Sequence, residues 1–171
     1  MRLSQAIASS LLFAAFGATA WDDYTGQEAF DCAAYNPDCY ILDVRTAEEY
    51  RWVGHPGPDK KGVYGAELVG KVVNLPWEYV INNTLVQNKL FKATARYWFG
   101  SDKDRVVLVT MCRSGKRSEA AATALEALGF TVYNMDNGFE GDADAFGYRT
   151  VNGWKNDGLP YNTVWDFYHP E

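Results

Sequence analysis

Cys112 is the residue in this sequence best placed to do covalent chemistry. It opens the run Cys112-Arg113-Ser114-Gly115-Lys116-Arg117-Ser118, which follows the uncharged apolar segment Val106–Thr110 and precedes an alanine-rich stretch. Arg113, Lys116 and Arg117 put three cations within five residues of the sulfur. Nearby cations and a helix N-terminus both favour thiolate over thiol, and the thiolate is the nucleophile. A loop between strand and helix also turns backbone N–H groups inward and attracts anions. Gly115 permits the tight curvature that such a loop needs. The chemistry to expect is attack by Cys112 on an anionic or electrophilic substrate, giving a covalent intermediate. A lone cysteine at a strand end is otherwise a buried, inert residue. The order strand, cysteine, basic loop, helix favours the reactive alternative.

The other two cysteines, Cys32 and Cys39, lie seven positions apart in a segment containing Pro37. In an oxidising compartment they could close a local disulfide loop; two buried thiols, or a pair that cycles during turnover, are the alternatives. His55 and His169 are the only histidines and neither stands at ligand spacing, so no zinc site is expected. Asp136, Glu140, Asp142 and Asp144 form an acidic cluster in which Asp142–Gly147 has only part of a calcium-loop pattern, with Phe146 where a ligand belongs and no terminal glutamate at the required spacing. That cluster reads as a solvated turn, and no metal is expected.

The elements that must position these residues alternate between helix and strand. Thr25-Gly26-Gln27-Glu28 and Thr46-Ala47-Glu48-Glu49 both have capping-box spacing, so short helices should open there, the second over 48–52. Tyr40–Val44, Val106–Thr110 and Thr131–Asn134 read as strands, with a short fourth over Lys71–Leu75 before Pro76. Helices are expected over Asn83–Phe99 and Ser118–Leu128, the latter ended by Gly129. Residues 54–70, rich in glycine and proline, read as a long loop. Strands separated by helices predict an α/β fold with a mainly parallel sheet covered on both faces. Ligands of such sheets bind beyond the carboxyl ends of the strands, which is where Cys112 falls.

The chain has 171 residues, 47% of them hydrophobic, with 16 basic against 22 acidic side chains and a formal charge of −6. These values fit one globular domain and argue against disorder, a nucleic-acid surface or a general anionic-membrane surface. Residues 1–20 have the layout of a secretory signal peptide: Arg2, an uncharged run over Ala6–Ala18, and the small-x-small site Ala18-Thr19-Ala20. The expectation is a single domain over 21–171, exported to the periplasm or secreted, with no membrane attachment after cleavage.

Five separated motifs resemble the rhodanese (sulfurtransferase) family. They are Ile41-Leu42-Asp43-Val44-Arg45 with Glu48-Glu49-Tyr50, then Gly54-His55-Pro56-Gly57, then Val73-Asn74-Leu75-Pro76, then the Cys112–Ser118 loop. The last is Gly138-Phe139 with Gly153-Trp154 and Gly158-Leu159-Pro160. Together they span roughly residues 40 to 160. The sequence departs from the family pattern in the longer stretches 57–71 and 140–152, both candidates to fold over the pocket mouth, and in Asn137, where the family has glycine.

The resemblance implies a three-layer rhodanese-like fold and a cofactor-free cycle in which Cys112 takes a sulfane sulfur as a persulfide. The donor would be a small sulfur-containing anion and the acceptor a thiol, a cyanide-like thiophile or a partner protein. Backbone N–H groups of residues 113–118, Ser114 and Gly115 among them, would hold the outer sulfur. Arg113 and Lys116 are the candidates for donor recognition; Arg117 either points inward or braces the loop. Ser118 is expected to cap the helix. Asp43 and Arg45 are expected to brace the site, Arg45 by pairing with Glu49. Related phosphatases and arsenate reductases carry their loop arginine one position later, where this chain has Ser118. Phosphate chemistry is therefore disfavoured. The remaining rivals are a non-catalytic sulfur carrier and a thiol oxidoreductase in which Cys32 or Cys39 resolves an oxidised Cys112.

Overall fold

The computed structural model describes residues 23–163. The signal-peptide segment and His169 lie outside the described residues. In chain order the elements are α1 (Gly26–Tyr35), β1 (Cys39–Asp43), α2 (Ala47–Val53), β2 (His55–Pro56), β3 (Val72–Asn74), β4 (Glu78–Ile81) and β5 (Thr84–Gln87). They continue with α3 (Phe91–Phe99), β6 (Val107–Met111), α4 (Lys116–Glu126), β7 (Thr131–Asn134) and β8 (Tyr161–Asn162). Both capping boxes form: Thr25 with Glu28 opens α1, and Thr46 with Glu49 opens α2.

The central sheet has the order β3-β1-β6-β7 and all its pairs are parallel. Side chains alternate across each strand, so every strand feeds both faces. Ile41, Val72, Val109 and Met111 pack with Ala29, Phe30 and Ala33 of α1. Leu42, Val73, Leu108 and Val132 pack with Phe91, Ala95 and Phe99 of α3 and with Ala121, Ala122 and Leu125 of α4. The result is the expected three-layer α/β arrangement. Cys32 and Cys39 are joined, tying α1 to the first residue of β1.

Two expectations give way. Asn83–Phe99 is not one helix. Asn82 and Asn83 adopt φ of 50° and 59°, the pair of positive values that a tight two-residue hairpin turn requires. β4 and β5 therefore pair antiparallel, and the helix starts only at Phe91. Buried Asn88 makes the switch: its N–H donates to Trp77 O, its Nδ2 to Pro76 O, and its Oδ1 accepts from Leu90 N. The second helix starts at Lys116, not Ser118, because Gly115, with φ 90°, turns the chain into it.

The disulfide closes a short loop, so most of its effect should come from restricting the unfolded chain. The chain-entropy relation gives about 2.5 kcal/mol for a loop of this size. Cys32→Ala/Cys39→Ala is expected to lower the free energy of unfolding by that amount, read by linear extrapolation to water with each protein's own slope, which should be steeper in the variant because its unfolded chain is less compact.

Candidate active site around Cys112

β1 and β6 end side by side, with Asp43 opposite Met111, and each runs directly into a turn and a helix. Cys112 is the first residue beyond β6. The carbonyl oxygens behind it are drawn toward a second segment: Cys112 O accepts from Phe139 N at 2.7 Å, and Arg113 O from Glu140 N and Gly141 N at 3.0 and 3.2 Å. The two backbones touch. A Cβ on Gly138 (φ 62°) would lie 2.5 Å from Arg113 C, and one on Gly115 would lie 1.9 Å from Asp136 O. Both positions therefore require glycine. With the carbonyls held there, the N–H groups of Arg113, Ser114 and Gly115 donate to no acceptor among the described residues. The first turn of α4 follows at once with its own unpaired donors.

Cys112 is 2% exposed and is the one free cysteine among the described residues. Part of its side chain packs on the apolar layer beneath, and it lines a cleft of about 460 Å³. Ser118 does not cap the helix. It lies inside α4, and its Oγ is 3.4 Å from Cys112 Sγ and 2.8 Å from Gly115 O. The single hydroxyl hydrogen thus has two acceptors within reach, the Gly115 carbonyl and the sulfur.

Glu49 and Arg117 form a two-pronged pair across the cleft wall, with Nη1 at 2.7 Å from Oε2 and Nη2 at 2.6 Å from Oε1. Glu49 Oε2 also accepts from Thr46 N, so one carboxylate caps α2 and anchors the loop of Cys112. Burial works against the charge on Glu49, yet the Arg117 hydrogen bond and charge hold its carboxyl below the usual range. Burial likewise opposes the Arg117 cation, and Glu49, then Cys112 and Glu78, hold it above its ordinary value. The expected Arg45–Glu49 pair does not form. Arg45 instead grips Asp43, two residues before it, with Nη2 at 2.5 Å from Oδ2, and donates to Gly54 O at 2.7 Å. Both are fully buried, and neither lines the cleft. The tight Asp-Val-Arg turn makes this local pairing shorter than any reach to α2. Asp43 and Arg45 thus brace the strand end, and Arg117 braces the loop.

The loop cations are balanced. Arg113, Lys116 and Arg117 line the cleft together with Glu48, Glu49 and Glu78, three of each sign. Arg113 and Lys116 are exposed and make no ion pair among the described residues. Neither long stretch folds over the mouth: residues 57–62 line a separate cavity beside Leu68 and Val72, and residues 140–152 line neither. The hairpin supplies that wall instead, through Glu78, Val80 and Leu85. Its signal was present in Asn82-Asn83 between β-branched residues. Cys39 pairs in register with Val107. Cys112 stands five positions further along, about 16 Å away at the rise of a strand. The disulfide is therefore at the opposite end of the sheet from Cys112 and unable to resolve it.

Because the folded Glu49 carboxyl titrates below its ordinary value, the stability it contributes is present above the unfolded value. It is lost as pH falls through the folded one. Glu49→Gln is expected to cost about 2 kcal/mol near pH 7, the scale of charge-assisted hydrogen bonds. The melting-temperature gap between the two proteins should narrow as the pH is lowered below the carboxylate range.

Residues 27–145 match the family described as rhodanese-like domain. Uncharacterized protein RC0915 of Rickettsia conorii is 32% identical over 135 residues, covering 78% of this chain and 91% of that one. Uncharacterized protein RP600 of Rickettsia prowazekii is 30% identical over the same shares. The crystal structure of Rv0390 from M. tuberculosis superposes with a TM-score of 0.64 at 34% identity, covering 85% of this chain and 100% of that one. On the length of these matches and the sheet that carries Cys112, the chain belongs to the rhodanese-like domain family, a family of sulfurtransferase type.

Proposed function

We propose that the protein is a sulfurtransferase that carries sulfane sulfur as a persulfide on Cys112. The supporting observation is a free cysteine on the floor of an open cleft, beside the Ser118 hydroxyl and beside backbone N–H groups that donate to no acceptor among the described residues. The Cys112 thiolate attacks the sulfane sulfur of thiosulfate, a polysulfide or a persulfide. A bond to Sγ forms as the donor's S–S bond breaks, and the leaving group departs with the electron pair; for thiosulfate it is sulfite. The outer sulfur then carries the negative charge that the loop N–H groups can stabilise. A thiophile, such as cyanide or the thiolate of a small molecule or protein, attacks that sulfur and restores the Cys112 thiolate. The electrons balance without a cofactor. Arg113 and Lys116, cations of the rim without an ion pair among the described residues, bring in the charged donor.

Export is part of the proposal. It is supported by the pattern of residues 1–20 and by the Cys32–Cys39 bond, since disulfides persist in oxidising compartments.

Intact-mass measurement after exposure to thiosulfate should show a gain of one sulfur that a reducing thiol removes. Cys112→Ser should show no gain. If the wild-type chain gains nothing from any sulfane donor, the transferase proposal fails. Ser118→Ala should slow charging about tenfold, the worth of one hydrogen bond to a charged atom, while the fold persists by circular dichroism.

A further inference from the structure

We infer that the cavity beside His55 is a second binding site, distinct from the Cys112 cleft, for a small organic anion with a ring-sized apolar body. Tyr50 of α2 lines this cavity, whereas Glu48 and Glu49 of the same helix line the cleft of Cys112. The two hollows have no lining residue in common, and binding at this one does not depend on sulfur transfer.

The cavity is built by the part of the chain that is longer than the family pattern. Residues 57–62 and 68–70, all within the long stretch 57–71, form much of its wall. That stretch is fastened to the body of the protein. Gly57 N donates to Pro160 O at 3.2 Å, Asn162 Nδ2 to Pro58 O at 2.7 Å, and Asp59 N to Tyr64 O at 2.8 Å. Gly65, with φ 85°, lies so close to Pro160 that a Cβ would stand 2.6 Å from the proline ring. The hollow is therefore shaped by the protein's own contacts. At about 500 Å³ it has the size of preformed small-molecule sites.

Its lining is apolar below and cationic above. Leu68 and Val72 are buried, Pro56 and Pro58 stand beside them, and Val69 lines the same space while 71% exposed. Tyr50 and His55 add a flat pair of rings, stacked at 4.0 Å and 3°. Such walls gain from an apolar body at roughly 25 cal/mol per Å² removed from water. Lys60 and Lys61 are exposed and make no ion pair among the described residues. Asp59, the one acidic residue of the lining, is engaged by its own turn: Oδ1 accepts from Lys61 N at 3.1 Å and from Val63 N at 3.2 Å. On a chain with a formal charge of −6, two lysines against one occupied aspartate make a local site for negative charge. A lysine ammonium is a point charge with no fixed acceptor geometry, so the site selects charge and apolar body together, not a particular head group.

The test records backbone amide NMR shifts on the full chain during titration with phenylacetate, with phenylacetamide and with acetate. The amide keeps the ring and lacks the charge; acetate keeps the charge and lacks the ring. Phenylacetate is expected to shift the amides of residues 57–62 and to bind more tightly than either comparator. Lys60→Gln/Lys61→Gln should weaken phenylacetate about fivefold, the effect of one unit charge at contact distance in water, and leave phenylacetamide unchanged. Both lysines are exposed, so the variant is expected to keep the fold, read from its unchanged amide shifts beyond the loop. No shift at residues 57–62 with phenylacetate, or shifts confined to the Cys112 loop, overturns the site. Equal binding of phenylacetate and phenylacetamide, or an unchanged phenylacetate affinity in the double variant, overturns the anion assignment. Charging of Cys112 is read separately by mass, so either result leaves the sulfurtransferase reading to its own test.

Discussion

The contact on which the site depends is backbone against backbone. Cys112 O and Arg113 O are both taken up by the N–H groups of residues 139–141, and Gly115 and Gly138 let the two segments approach to a distance that excludes any Cβ. Holding the carbonyls on that side leaves the N–H groups of Arg113, Ser114 and Gly115 unclaimed among the described residues. A loop with its donors unclaimed has a local positive potential that does not depend on side-chain charge. This matters here because the side-chain charges of the cleft cancel.

Two ion pairs then fix the loop relative to the strands, in different ways. Asp43 and Arg45 are sealed from water at the end of β1, with the Arg45 guanidinium also 4.1 Å above the Phe139 ring. Phe139 is the residue whose N–H holds Cys112 O, so the buried pair supports the far side of the cysteine loop. Glu49 and Arg117 are partly exposed and span from the α2 cap to the first turn of α4. The other family motifs are joints of the same frame. Asn74 Nδ2 donates to Asp43 O and Arg45 O, and buried Trp154 donates through Nε1 to Pro160 O and through N to Gly138 O.

The cysteines divide by end of the sheet. Cys32–Cys39 secures α1 where β1 begins, and Cys112 works where β6 ends. Because β1 and β6 run parallel, that division is built into the topology, and it keeps the structural sulfurs away from the reactive one.

Much of this was legible in the sequence because it is local. The capping boxes at Thr25 and Thr46, the uncharged strand before Cys112 and the glycine that lets the loop curve each act over a few residues, and each determines its own geometry. The family motifs, read together, also carried the three-layer fold. What tertiary structure alone decided is partner choice across long separations. Arg117 meets Glu49, 68 residues away, because two parallel strands end at the same level; Arg45 finds Asp43 before it can reach α2. Ser118 faces the sulfur, not the helix end, because the helix begins two residues earlier. The hairpin became a cleft wall only because Asn88 and Trp77 dock it beside the loop. Charge counted along the chain gave a cationic cradle. Charge counted in space gave three of each sign, since electrostatic neighbours are set by folding distance and not by position in sequence.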